Sequence, residues 1–135
     1  MINKLIIYDL DGTLADSSAR EQFPKYYDDS FNNLVLKDLP IQENIKLIKK
    51  TNNSKIMILT GRKSLIRRAT KQWLKNNEIE YHHLVMRPKS CNKSNTKFKL
   101  DIIRNLKKRF KIKKIFDGNQ KFIEQINNSN IIFET

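Results

Sequence analysis

Two aspartates set two residues apart, Asp9 and Asp11, stand directly after the apolar run 4–8 (KLIIY) and open the string Asp9-Leu10-Asp11-Gly12-Thr13-Leu14. A carboxylate is a poor nucleophile in water, but beside a divalent cation and in line with phosphorus it can form an acyl phosphate. A second acid two residues on can protonate the leaving oxygen and later take a proton from water. A bare pair of acids is more often a solvated turn. The buried strand before this pair and the Gly-Thr after it favour the chemical reading.

Three further groups suit the same chemistry. Thr60-Gly61-Arg62 follows a second apolar run, 55–59 (KIMIL). A hydroxyl with neighbouring N–H groups at a helix start suits a phosphate oxygen, and Gly61 lets the backbone come close. Lys97 and Lys99, in Thr96-Lys97-Phe98-Lys99-Leu100, could offset the charge of the aspartates and a phosphoryl group. Asp117-Gly118-Asn119 comes after a short apolar stretch and supplies one more acid.

These residues need elements to hold them. Runs 4–8, 55–59, 83–86 and 114–116 read as strands, with a closing strand at 130–133. Helices are expected at 41–50, at 64–75 with Leu65, Ile66, Ala69 and Trp73 inward, at 98–110, and around Phe122, Ile123 and Ile126. Ser18-Ala19-Arg20-Glu21 fits a capping box for a short helix, and 23–38 reads as irregular and aromatic. Strands alternating with helices imply right-handed crossovers and a three-layer α/β domain of the Rossmann type, its parallel sheet covered by helices on both faces. Ligands in such sheets bind beyond the carboxyl ends of the strands, where Asp9, Asp11, Thr60, Arg62 and Asp117 fall.

A chain of 135 residues has room for one domain, taken as 1–135. No run approaches a membrane span, and the N-terminus has no signal pattern. Cys91 is the sole cysteine, so an internal disulfide is excluded and the cytoplasm is the expected compartment. The net charge of +13 favours polyanionic partners, although the wealth of Lys, Asn and Ile also fits A/T-rich codon usage. His82 and His83 have no Cys or His partners at zinc-ligand spacing.

The string 9–14 resembles the signature of the haloacid dehalogenase (HAD) superfamily, most of whose members are phosphatases. The resemblance implies Asp9 as nucleophile and Mg²⁺ ligand, and Asp11 as general acid and base, its carbonyl also offered to the metal. It implies that Thr13 shapes the phosphate-binding turn. Thr60-Gly61-Arg62 is similar to the Ser-Gly-Arg of the polynucleotide kinase–phosphatase family, which implies phosphate or substrate binding by Thr60, Gly61 and Arg62. Thr96-x-Phe98-Lys99 resembles the Swiss Army Knife RNA-repair-like branch and favours Lys99 over Lys97. The fourth motif departs from the family, whose members usually carry two acids where this chain has Asp117 and then Gly118. Asp9, Asp117, a carbonyl and water would still fill a Mg²⁺ shell, with Asn119 as an amide substitute that orients a bound water.

Neither the interval 14–60 nor 62–99 has space for a cap domain, so the site is expected to be open and to suit a large substrate such as a nucleic-acid end. Arg67, Lys71 and Lys75 at i, i+4, i+8 and a second basic cluster over 104–114 fit that substrate. Tyr26, Tyr27 and Phe31 are either stacking platforms for a terminal base or, more simply, apolar cover. The expected function is a Mg²⁺-dependent phosphatase that removes 3′-phosphates from DNA or RNA ends. The alternatives are a capless phosphatase of a small metabolite, nucleotide or phosphoprotein, and a catalytically weak nucleic-acid-binding module.

Overall fold

The computed structural model describes residues 3–25 and 27–128. In chain order the elements are β1 (Asn3–Tyr8), β2 (Ala15–Asp16), a 3₁₀ turn at Ser18–Arg20, α1 (Asp29–Leu36), β3 (Leu39–Pro40) and α2 (Gln42–Lys50). There follow β4 (Lys55–Lys63), a 3₁₀ turn at Ser64–Ile66, α3 (Arg67–Asn76), β5 (His83–Arg87), α4 (Asn95–Leu106), β6 (Phe110–Phe116) and α5 (Gln120–Asn128).

Alternation along the strands sorts the core into two halves. Leu5 and Ile7 of β1 and Met57 and Leu59 of β4 face α4 and α5, where they meet Phe98, Ile103, Leu106, Phe122 and Ile126. Tyr8, Ile56 and Ile58 face the other way, onto Phe31 and Val35 of α1, Ile45 and Ile48 of α2, and Trp73 and Leu74 of α3. The result is the expected three-layer α/β architecture, a parallel sheet ordered β5-β4-β1-β6 between two helical layers. Between β1 and β4 the described residues form α1, α2 and the small β2–β3 ladder, and among them no cap domain is inserted. Among the described residues no helix is long and apolar enough to cross a membrane.

The strand order places the site. From β1 the chain moves outward through β4 to β5, and then returns across the sheet to lay β6 on the other side of β1. The switch point, where ligand crevices form in open α/β sheets, therefore lies between the carboxyl ends of β1 and β6. Asp9 follows β1 and Asp117 follows β6, and the Asp9 N–H donates to the Phe116 carbonyl at 2.8 Å.

Several local expectations are corrected. Segment 23–38 contains a helix, α1, because Asp28 accepts from the Phe31 N–H and Phe31 and Val35 fall one turn apart on its buried face. The capping box at 18–21 does not form; Asp16 instead accepts from both the N–H and the hydroxyl of Ser18, which leaves a single 3₁₀ turn. Leu65 is 41% exposed, since residues 64–66 are a 3₁₀ turn whose inward residue is Ile66. The helix expected to reach Phe110 ends at Leu106, the Arg109 N–H closing back on the Leu106 carbonyl, and Phe110 instead opens β6 beside Asn3. The basic run 104–114 is thus shared among a helix end, a turn and a strand. The expected strand at 130–133 and Tyr26 lie outside the described residues.

Candidate active site

The turn after β1 is shaped by its own backbone. Gly12 sits at φ 83°, a left-handed conformation that side chains disfavour, while the N–H groups of Leu14 and Ala15 both return to the Leu10 carbonyl. Asn44 of α2 donates to the Thr13 carbonyl at 2.8 Å, and the Thr13 hydroxyl accepts from the Gly118 N–H at 3.2 Å. Thr13 therefore ties the first motif to the fourth.

Lys99 joins the two acids at the switch point. Its Nζ donates to Asp9 Oδ1 at 2.8 Å and to Asp117 Oδ2 at 2.9 Å, with all three side chains less than a tenth exposed. Burial pushes the Asp9 carboxyl up to about 6; the nearby Asp117 charge adds to this and Lys99 opposes it. Burial alone would lower the Lys99 ammonium, but the attraction of two carboxylates carries it above the ordinary lysine value. The two rises have different causes: burial outweighs the lysine's attraction at Asp9, whereas at Lys99 the pull of two carboxylates outweighs burial. Lys97 points outward instead and pairs with Asp101 at 3.2 Å.

A second network holds Asp11. Thr60, Gly61 and Arg62 lie inside β4 and not in a turn at a helix start. The β4–β5 register runs from Thr60↔Met86 to Lys63↔Arg87, so two residues of β4 stand outside the ladder. Such an irregularity re-aims side chains, and here Arg62 turns inward. Its guanidinium donates to Asp11 (2.6–3.2 Å), to Asp38 Oδ2 (2.7 Å) and to Thr70 Oγ1 (3.1 Å). Arg20 donates to both Asp38 oxygens at 2.7 and 3.1 Å and lies 3.6 Å from Asp11. Burial would raise the Asp11 carboxyl, but Arg62, with help from Arg20, holds it below the usual carboxylate range. Asp11 is thus held in its ionised form. To donate a proton, it must first lose part of its hold on Arg62.

The remaining residues support these. The Thr60 hydroxyl, buried, accepts from the Arg62 N–H at 3.1 Å. A Cβ at Gly61 would overlap the Asn95 side-chain amide at the start of α4, which gives the close approach a concrete cause. Asn119 caps α5, its Oδ1 accepting from the Phe122 N–H at 3.2 Å, while its own N–H donates to Asp117 Oδ1 at 2.8 Å. Gly118 has a packing reason as well: a Cβ there would stand 3.2 Å from the Gly12 carbonyl oxygen, so the second acid usual in the HAD superfamily would require the first turn to shift.

Asp9, Asp11, Thr60, Gly61 and Arg62 line one cleft of about 320 Å³, together with Arg20, Lys25, Tyr27, Lys63, Arg87 and Asn95. Five basic side chains there face two acids, an electrostatic setting for an anion. Phe31 is 3% exposed and lies under the Arg20 guanidinium, so it is core; Tyr27 packs edge-on to it and reaches the cleft. A larger groove of about 710 Å³ lies at the opposite end of the strands, lined by Glu78, Glu80 and His82, and none of the motif residues reaches it. His82 is a structural residue, its Nδ1 accepting from the Ile56 N–H at 2.9 Å.

Among the described residues no three His, Cys, Asp or Glu side chains form a ready-made metal cage. The donor set nevertheless fits Mg²⁺, which takes oxygen ligands, needs one or two carboxylates and keeps several waters. Asp9 and Asp117 supply the carboxylates, and with Lys99 between them one net negative charge remains for a cation to offset.

Sequence reasoning missed Arg20 and Asp38, which hold Asp11 and Arg62, and also Lys25, Lys63, Arg87 and Asn95 of the cleft lining. Asp38 is an acid within a mostly apolar stretch, and Arg20 was absorbed into the expected capping box; neither has a spacing signal of its own.

The profile of the Polynucleotide kinase PNKP phosphatase domain matches residues 3–132. No curated protein sequence matches. Solved chains share the fold, among them the following two. One, from a Pnkp1/Rnl/Hen1 complex, has a TM-score of 0.80 at 20% identity over 98% of this chain and 45% of its own length. The other, from a Pnkp1/Rnl/Hen1 RNA repair complex, has a TM-score of 0.82 at 20% identity over 99% of this chain and 42% of its own. This chain spans less than half the length of either.

Proposed function

The chain belongs to the family of polynucleotide kinase PNKP phosphatase domains of the HAD type, and from that premise we propose that it is a Mg²⁺-dependent phosphatase acting on 3′-phosphorylated nucleic-acid ends. The observation that carries this reading is the pair of networks at the switch point, Asp9–Lys99–Asp117 on one side and Asp11–Arg62 on the other. RNA ends are the first substrate to test, because a solved chain with the same fold belongs to an RNA repair complex.

An Asp9 carboxylate oxygen attacks phosphorus, the P–O bond to the sugar breaks, and Asp11 delivers a proton to the departing oxygen. In the second half Asp11 takes a proton from water, which attacks the phosphorus of the aspartyl-phosphate; inorganic phosphate leaves and the Asp9 carboxylate is restored. Lys99 balances the charge on Asp9 and Asp117, and the Thr60 hydroxyl with the Arg62 and Arg20 guanidiniums receives the phosphoryl oxygens. A phosphate that draws Arg62 partly off Asp11 also readies Asp11 to act as acid. Asp9, Asp117 and the Asp11 carbonyl would hold Mg²⁺, which supplies charge neutralisation at the transferring group.

The test is phosphate release from 3′-phosphorylated RNA and DNA oligonucleotides, 5′-phosphorylated oligonucleotides and a 3′-mononucleotide, with Mg²⁺ or with EDTA. Release that prefers 3′ ends, stops with EDTA and is lost in Asp9→Asn supports the proposal. Equal release from every ester keeps the aspartate chemistry but removes the end-processing role. No release from any of them points to the binding-module reading that Gly118 in the fourth motif favours.

A further inference from the structure

Segment 63–77 contains five basic residues and no acid. Lysines and arginines on a helix usually find carboxylates: on α4, Lys97 and Arg104 lie within 3.9 Å of Asp101, as does Lys93 just before the helix. On α3 the situation differs. Among the described residues no salt bridge reaches Arg68, Lys71 or Lys75. Arg67 and Arg68 also sit in the first turn of the helix, where the macrodipole opposes positive charge unless an anion is near.

These charges border a shaped surface. A groove of about 680 Å³ runs beside α3, lined by Arg67, Arg68, Lys71 and Lys75 and by two apolar surfaces, the half-buried Tyr81 ring and Leu65, which is 41% exposed. The groove begins where the catalytic cleft ends. Lys63 and Ile66 line the cleft while Ser64 and Leu65, between them in sequence, line the groove. From there α3 leads away from the carboxyl ends of the strands for about 15 Å.

We infer that this groove carries the single-stranded nucleic acid whose terminal phosphate enters the cleft, with Arg68, Lys71 and Lys75 on successive backbone phosphates and Tyr81 and Leu65 against bases. A basic groove with an interleaved aromatic is the general form of a sequence-tolerant single-strand site. The inference rests on the end-processing reading of the cleft and adds a strand path and a length requirement to it. A mononucleotide reaches the cleft alone, whereas an oligonucleotide engages both.

The test compares wild type with the triple variant Arg68→Ala, Lys71→Ala, Lys75→Ala and with a control, Lys107→Ala, Lys108→Ala, Arg109→Ala. The control removes the same charge from the turn before β6, at the far end of the sheet. Binding of a fluorescent single-stranded oligonucleotide with a 3′-hydroxyl is followed by anisotropy across a salt series, so the readout does not need turnover. Losing three phosphate contacts lowers the slope of log K against log salt by about 2 and weakens binding about tenfold near physiological salt. The expected result is that the α3 variant shows this loss, the control does not, and phosphate release from a 3′-mononucleotide is unchanged in both. Equal losses in both variants would reduce the effect to net charge and overturn the inference. An unchanged slope in the α3 variant would also overturn it and leave the face to an acidic protein partner. If no substrate is hydrolysed but the α3-specific slope change is present, the catalytic reading fails while the strand path stands.

Discussion

At the scale of single residues, Asp9 carries the sharpest consequence. Its carboxyl is raised from 3.8 to about 6 by burial, so folding takes up a proton between those values and the site works against stability as the pH rises through them. Above pH 6 the cost is about 3 kcal/mol. Asp9→Asn removes that charge and keeps the shape. It is expected to abolish phosphate release yet raise the melting temperature of the metal-free protein at pH 7.5, with the gain shrinking as the pH falls from 6 toward 4. A gain that does not vary with pH would show that Asp9 titrates normally. Asp38 is a buried carboxylate gripped by two arginines. Asp38→Asn leaves Arg20 and Arg62 short of a charge in a buried place and should cost about 3–5 kcal/mol in urea unfolding. Lys99 was favoured over Lys97 in the sequence by a resemblance alone, and the helix supplies a physical reason to separate the two. Lys99 lies on the inward stripe with Ile103 and Leu106, whereas Lys97 falls on the outward stripe with Asp101 and Arg104. Asp38 was not legible, since nothing in an isolated acid says that two arginines from distant segments will converge on it.

Among elements, β4 explains both the aim of Arg62 and the main error in reading the site. Its apolar run ends at Leu59, so a turn was the natural expectation at Thr60-Gly61-Arg62. The strand continues because Lys63 recovers a partner in Arg87 on β5, and Arg87 donates to the Gly61 carbonyl at 3.0 Å. A ladder that resumes after two unpaired residues leaves no trace in one strand's own sequence. Gly61 makes this testable. Gly61→Ala drives a methyl group into the Asn95 amide and should cost about 1–3 kcal/mol. Asn95→Ala made together with it should recover most of that loss, giving a coupling energy in a double-mutant cycle of thermal unfolding. Additive losses would mean that the two residues do not meet. α1 went unread for a related reason: it is short, and its signal is a single Asp28 cap and one apolar pair, Phe31 and Val35.

For the molecule as a whole, the alternation of apolar runs was enough to read a parallel sheet with helices on both faces, because the central strands β1 and β4 carry apolar runs buried on both sides and the helices each have one apolar stripe. Strand order was not readable in that way, and it is the order β5-β4-β1-β6 that brings Asp9 beside Asp117. Metal binding at that meeting point should be felt throughout the fold. Mg²⁺ at a hundredfold excess over its Kd is expected to add about 2.7 kcal/mol, several degrees in Tm. Asp117→Asn should lose that response, and an unchanged shift would place the metal elsewhere. The bond from Lys99 to Asp9 spans 90 positions of the chain, and β1 pairs with β6 across a similar interval. Contacts so distant along the chain form late, after the loops between them have been closed at an entropic cost. A ribosome-bound chain that has not yet released β6 therefore has Asp9 but neither Asp117 nor the ladder that seats it, so the two acids meet only once β6 has docked beside β1.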